Sequence, residues 1–516
     1  MEDLRICFQD CEGRLTIRED VIDKSAIRVL DLARRLGRFE NPEEPPKRAV
    51  EDAAREGFIK ESGADGITLL KNQGDVLPIK RGSTVALVGQ HSWSVVLGGG
   101  GSARVDALHA ISPIQGFRNL GFTNLEARGV PVFGAVPHAD PSIVFPRDRK
   151  TGSSRPVKLE WPNGPIVGTN LAHKGTIPQA EYMTKEKRPE YLDEDFSTRI
   201  TFDLRHLEKR VHQRLEKGRR YGITLESWAC DPAILNAGPI FGKMFQGSAV
   251  RFHEAIDVAA RRAEAAEAAA AADYAVVCVG TTNETETEGF DRDTLAAQYD
   301  LAWFPGQETE HALEAVLAGV VNPSGRLPLS WPRRVEDGSS FENFPAGENS
   351  LLRYDERLDV GCRRHNRPGN PAALFPFDFG LSYTTFAVTG AAVLGSSALK
   401  SANDSIRVSA EVVNAGSRRG KVVVQFYVAF PEGAGTPGRQ RPVKELQAFT
   451  KVDIEAGQTA QTTVQSGKFA VSVYDEAKAR WVTPDGEYRM LVGLSSVDIQ
   501  QTASFSVSKS FTWTSV

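Results

Sequence analysis

The period of the hydrophobic positions changes several times along the chain, and each change predicts a different kind of element. Residues 20–39 place Ile22, Ile27, Val29, Leu30 and Leu36 at helical spacing, with Gly37 suited to a helix end. The proline-rich NPEEPP at 41–46 breaks this pattern, and a second helical stretch over 49–70 leads to Lys71 and Asn72. TVALVG (84–89) is a short apolar run bounded by glycine, the pattern of a strand buried in a parallel sheet. Between about 130 and 250 prolines, lysines and arginines rise and turn signals are frequent, which predicts an irregular β-rich insert. The alanine-rich 250–273 predicts a long helix that delivers the chain into YAVVCVG (274–280), a second buried strand of parallel-sheet type. From about 387 onward SIRVSAEVVNAG, KVVVQFYVAF, TAQTTVQ and GEYRMLVG are strand-like and punctuated by turns, which predicts an all-β sandwich of immunoglobulin-like size.

These elements place two segments where chemistry could sit. The first is LGGGGSARV (97–105), directly after a predicted strand. It lacks the Lys-Ser/Thr of a phosphate loop and the glycine spacing of a dinucleotide fingerprint, so close backbone approach explains its glycines better. The second is TTNETETEGFDR (281–292), which follows the apolar strand at once and carries Glu284, Glu286 and Glu288 at alternate positions. A polar loop capping a buried strand accounts for it, and so does a group of carboxylates that shift one another's pKa and act as acid and base. Its place at the C-terminal end of a parallel strand, where open α/β sheets bind ligands, puts the chemical reading level with the polar cap. In extended geometry all three glutamates face one side, so spacing cannot separate them.

Composition narrows the classes. The chain of 516 residues has room for three or four domains at ~100–200 residues each. A net charge of -4 gives no reason to expect nucleic acid or an anionic membrane as partner. No apolar run approaches the ~20 residues that span a bilayer. The acidic start MEDLRICFQDCEGR is no signal peptide, so as written the chain is expected in the cytoplasm. Cys7, Cys11, Cys230, Cys278 and Cys362 form neither a disulfide framework nor a zinc pattern, and Cys278 is expected as a buried structural thiol. The aromatic block LFPFDFGLSYTTF (374–386) is expected in core or domain-interface packing. His91 and His109 have no partner at catalytic spacing and are expected to be ordinary loop residues.

Several motifs occur in one order: ITLLKNQGDVLPI (67–79), GGGGSARV (98–105), VVCVGTTNETETEGFDR (276–292), WFPGQE (303–308), NPSGRLPLSWP (322–332) and LFPFDFGLSYTTF (374–386). Together they resemble the family-3 glycoside hydrolases, the β-glucosidases in particular. VSAEVVNAGSRRGKVVVQFYV (408–428) with RPVKELQAF (441–449) resembles the fibronectin-type-III-like domain of those enzymes, and 180–204 resembles the PA14 module that one subgroup carries. The resemblance implies a multidomain α/β plus all-β fold: an α/β sandwich domain with an interrupted PA14-like insert, then a fibronectin-type-III-like β-sandwich. The corresponding segments are 1–45, a remnant of a barrel's C-terminal tail; 46–130 and 250–345, the two parts of the α/β domain; 131–249, a truncated PA14-like insert; 346–395, a linker; and 396–516, the β-sandwich.

The departures from the family are equally specific. Full-length relatives begin with a (β/α)₈ barrel that carries the catalytic aspartate, and no residue here matches that motif. The sequence also shortens after Thr294 and Leu295, where relatives run through a helix and another strand. Within the family's E-x-E-G-[FY]-D-R loop the acid/base position matches Glu286, with Glu288 and Glu284 in reserve. Asp291 and Arg292 are expected to brace that loop, and Lys71 and Asn72 to hold the start of the α/β domain against a barrel. The implied activity is release of glucose from the non-reducing end of β-glucosides. Its partner is a small β-glucoside or oligosaccharide, with no cofactor and no metal; self-association through an exposed barrel-docking face is also expected. A reading from another class is a non-catalytic carbohydrate-binding or interaction protein derived from such an enzyme. A third is an incomplete reading of a longer gene, in which case an upstream extension could restore a signal peptide.

Overall fold

The computed structural model describes residues 19–43, 52–97, 107, 109–130, 257–281, 301–302, 306–344, 351–431 and 441–514, with strand backbones between 157 and 249. Residues 1–53 form one compact unit and 54–516 another. In the first, helix α1 (Glu19–Arg35) covers most of the predicted stretch. Its Ile27, Val29 and Leu30 are exposed, as are Leu36 and Phe39 beyond it.

The second unit opens with α2 (Ala53–Gly66) and β1 (Thr68–Leu69), then β2 (Thr84–Val88), α3 (Pro113–Asn119) and β3 (Thr123–Ala127). Six short strands follow between 157 and 249: β4 (Val157–Pro162) pairs with β5 (Leu171–Ile177), β6 (Glu181–Lys185) with β9 (Phe245–Ala249), and β7 (Ser197–Thr198) with β8 (Ser227–Trp228), all antiparallel. The chain then returns through α4 (Val258–Ala270), β10 (Tyr274–Val277), β11 (Leu301–Ala302) and α5 (Thr309–Leu317). β10, β2 and β3 form a parallel sheet in that order, so β2, first in sequence, lies in the middle.

The two faces of β2 explain its unbroken run of apolar residues. Val85 and Leu87 pack with Ile114, Phe117 and Leu317 of α3 and α5, while Ala86 and Val88 pack with Ala127 and the small side chains of α4. Both faces are covered, as parallel sheets require. Alanine suits α4 doubly, as the best helix former and as a side chain short enough to lie close on the sheet. The side chain of Asp257 caps that helix by accepting from the Ala260 amide at 2.9 Å.

One expectation needs correction. YAVVCVG reads as a buried strand, yet β10 is an edge of the described sheet and Val277 and Val279 are 60% and 57% exposed. An apolar run shows affinity for a sheet interior but not which side of the strand is left without a neighbour. Cys278 is half-buried, and its burial pushes the thiol above its usual range.

After a short helix α6 (Cys362–Asn366) the sandwich is built from β12 (Phe386–Leu394), β13 (Ala398–Leu399), β14 (Ile406–Asn414), β15 (Gly420–Ala429), β16 (Glu445–Ile454), β17 (Thr459–Ser466), β18 (Val473–Asp475), β19 (Arg480–Thr483), β20 (Gly486–Gly493), β21 (Ile499–Val507) and β22 (Phe511–Trp513). Its sheets run β12-β14-β17 and β13-β21-β20-β15-β16, with a small third sheet β18-β19-β22. Alternation places Ile406, Val408, Ala410 and Val412 of β14 inward against Val422, Val424 and Phe426 of β15 and Tyr488, Met490 and Val492 of β20.

The α/β domain and the sandwich are joined by the segments 322–331 and 374–384. Leu69 O accepts from the Leu381 amide at 2.8 Å, and Trp331, Phe375 and Phe379 pack with Leu70 and Leu327. The aromatic block therefore fills an interface. Asn322 accepts from Ser382 Oγ and the Tyr383 amide, both at 2.8 Å, and donates to Arg419 O at 3.1 Å. Asp65 of α2 pairs with Lys421 at 2.8 Å and Lys451 at 3.4 Å on the sandwich.

At the centre of this junction Asp378 is 7% exposed, in left-handed backbone at φ 64°, a region that Asp and Asn tolerate. Burial pushes its carboxyl up to about 7, against the opposing pull of Arg326. A folded-state pKa raised this far favours the fold while the group is protonated, so that contribution is full below about pH 4 and is lost as pH rises towards 7. Asp378→Asn keeps shape and backbone but cannot ionise. Its unfolding free energy is expected to lose that downward slope, measured by denaturant titration from acid to neutral pH; superimposable profiles would contradict the assignment.

Candidate functional site at the sheet's C-terminal edge

The three parallel strands exit on one side. Gly89, at φ 104°, follows β2 and donates its amide to Ala127 O at 3.0 Å, while the Cys278 amide reaches Val88 O at 2.8 Å. A Cβ on Gly89 would lie 2.4 Å from Cys278 O, so only glycine lets the β2 and β10 exits approach this closely. His91, on the turn beyond Gly89, brings Nε2 to 3.2 Å from Gly280 O and so ties the β2 exit to the root of the acidic loop. Glu284, Glu286, Glu288, Asp291 and Arg292 themselves lie outside the described residues. The strand that leads to them is held at its exit by Gly89, His91 and Gly280.

A second cluster was not visible from local spacing. Glu308 is 4% exposed and lies between two imidazoles, His109 Nε2 at 2.6 Å from Oε1 and His311 Nδ1 at 2.7 Å from Oε2. His109 is thus not the partnerless loop residue expected, because its carboxylate is 199 positions away in sequence. The His311 half of the cluster had a signal, an acid and a histidine three apart at a helix start. Burial alone would raise the Glu308 carboxyl, but hydrogen bonds from His311, His109 and Gln307 outweigh it and hold the group below its usual range. At the N-cap position of α5 the same charge also meets the positive end of the helix. No group of three or more His, Cys, Asp or Glu among the described residues could hold a metal ion. Likewise, no helix among the described residues is long and apolar enough to cross a membrane.

Asn72 braces its own loop instead of reaching outward: its side chain donates to Leu77 O and accepts from the Leu77 amide, both at 3.0 Å. The Glu308 cluster works over a longer range, fastening the loop at 109 to the start of α5. Because its carboxyl is depressed, its stabilising effect is present above the ordinary glutamate value and is lost as pH falls through the lowered one. Glu308→Gln is expected to cost about 1–3 kcal/mol near neutrality. The gap from the parent, followed by thermal unfolding, should shrink in acid; a gap that does not change with pH would exclude this role.

The glycosyl hydrolase family 3 C-terminal domain matches residues 67–300 and 301–383, and the fibronectin type III-like domain matches 422–496. A probable beta-glucosidase I from Aspergillus terreus is 28% identical, over 96% of this chain and 68% of its own length. Beta-glucosidase B from Emericella nidulans is also 28% identical, over 94% of this chain and 66% of its own length. A beta-glucosidase from Kluyveromyces marxianus, solved in complex with glucose, superposes with a TM-score of 0.71 at 25% identity, covering 95% of this chain and 66% of that one. The chain therefore spans about two thirds of the length of such relatives. With the family's domain matched across more than half of its residues, the chain belongs to glycoside hydrolase family 3.

Proposed function

We propose that the chain is the acid-bearing part of a β-glucosidase that releases glucose from the non-reducing end of β-glucosides. The observation that carries this reading is the strand exit: β10 ends beside Gly89 and His91, and the next residues are the acidic loop. Relatives named beta-glucosidases and a glucose-bound relative support the sugar class.

Retaining glycosidases need two carboxyl groups about 5–5.5 Å apart, one to attack the anomeric carbon and one to protonate the leaving oxygen. We assign the proton donor to Glu286, with Glu288 and Glu284 next in order. The neighbouring glutamates would keep its proton on by like-charge repulsion, as a general acid near neutral pH requires. The nucleophile we place on a (β/α)₈ barrel outside these 516 residues, since none of them matches the family's motif for it. The strands between 157 and 249 we read as the PA14-like insert. The exposed apolar residues of α1 suit a surface that associates with another copy or with the barrel.

Purified chain fused to the nucleophile-bearing barrel of a family-3 β-glucosidase, and assayed with an aryl β-glucoside, is expected to release the aglycone. Glu286→Gln should slow that release by about 10²–10⁴-fold. Equal rates in the two proteins, or no turnover in either, would reject Glu286 as the acid of a working enzyme.

A further inference from the structure

The sequence marks His91 as an ordinary loop residue, yet the structure gives it a partner 189 positions away. It sits in the short turn Gln90–Ser92, which leaves the end of the central strand β2. That turn is a firm base. Ser92 is fully buried with its Oγ donating to Val88 O at 3.1 Å, and Trp93 packs against the core beside Val85 and Leu87. The imidazole faces two carbonyls, Gly280 O at 3.2 Å from Nε2 and Ser94 O at 3.4 Å from Nδ1. A carbonyl oxygen only accepts, so the shorter contact selects the tautomer with its N–H on Nε2, donating to Gly280. The ring also packs on the glycine itself: a Cβ at 280 would lie 3.3 Å from Cδ2 and 3.4 Å from Nε2.

Backbone pairing stops short of this point. The β10–β2 ladder ends at Val277 opposite Val88, and the Cys278 amide makes one more bond, to Val88 O at 2.8 Å. From Val279 onward the chain is past the ladder, and Val279 is itself exposed. The next contact along it, among the described residues, is the one from His91. A strand end held only by its ladder frays, because the last pairs are supported from one side. His91 adds a side-chain tie two residues past the last ladder bond. Glu286 follows six positions after Gly280, too far for one hydrogen bond to set its carboxyl alone. The tie fixes the direction in which the chain leaves the sheet, so its loss costs only part of what losing the acid costs.

Resting on the assignment of Glu286 as proton donor, we infer that His91 is a positioning residue for proton donation, acting through Gly280 O. Its signature is dependence on the leaving group. As the bond from C1 to the leaving oxygen breaks, phenol departs only with the acid's proton, whereas dinitrophenol departs as its anion without one. A variant that merely weakens the fold slows both substrates alike; a misaimed acid slows the phenyl glycoside selectively. The test measures kcat/KM of the chain fused to the barrel of a family-3 β-glucosidase, with phenyl and dinitrophenyl β-glucosides. Hydrogen exchange of residues 278–281 is followed alongside. His91→Ala should slow the phenyl substrate by about tenfold and the dinitrophenyl substrate clearly less, with faster exchange at the strand exit. His91→Gln, which keeps an N–H donor, should recover part of the loss. Gly280→Ala, which leaves His91 in place but crowds its ring, should show the same split more weakly. Glu286→Ala checks the underlying assignment: without a split there, or without turnover by the fusion, that assignment falls and takes the proposal with it. If Glu286→Ala shows the split and His91→Ala does not, or if His91→Ala leaves exchange at 278–281 unchanged, the role of His91 alone is overturned.

Discussion

The structure depends on one junction more than on either domain alone. The α/β domain and the sandwich meet through two irregular segments, 322–331 and 374–384, whose polar groups are used in both directions, and through the pairing of Asp65 with Lys421 and Lys451. Asn322 accepts from the linker and donates to the sandwich, and Tyr383 Oη donates to Val316 O at 3.0 Å, at the end of α5. Asn414, fully buried in the sandwich, accepts from Thr384 Oγ1 at 2.7 Å and donates to Arg418 O and Ile454 O. Irregular backbone can be buried only where its hydrogen bonds are met in this way, so the junction specifies one arrangement of the two domains. Asp378 Oδ2 and Arg326 Nε, buried without a hydrogen-bond partner among the described residues, are exceptions, and the raised carboxyl of Asp378 makes the junction sensitive to pH.

That rigid joint matters for the sheet edge. α5 enters the junction at one end through Val316 and the cluster at Glu308 at the other, so a single nine-residue helix connects the sandwich to the loop carrying His109. The β10 exit is fixed separately, by Gly89 and His91. An acid delivered to a sugar has to be held within a fraction of an ångström of its working position, and a strand end pinned from a neighbouring strand is a suitable base for one.

Much of this was legible in the residues. Period-2 alternation located the sandwich, the apolar run 84–89 gave the central strand, and alanine density located α4, although that helix is shorter than the tract that predicts it. The aromatic block reads as core or interface packing, and it fills an interface. The edge position of β10 among the described strands was not legible, because pairing depends on which strands lie alongside. The His109–Glu308 contact was also hidden, since it joins positions remote in sequence, and so was the elevated pKa of Asp378, which arises from burial that no local pattern encodes. Local chemistry is written in short spacings, whereas tertiary partners are not.

The claim at the centre is that β10 hands a proton donor to a bound sugar. A crystal structure of the chain with glucose tests it most directly. The account predicts the Glu286 carboxyl within hydrogen-bond distance of the anomeric oxygen, beyond the His91–Gly280 contact. Glucose bound elsewhere, with Glu284, Glu286 and Glu288 all in open water, would contradict it.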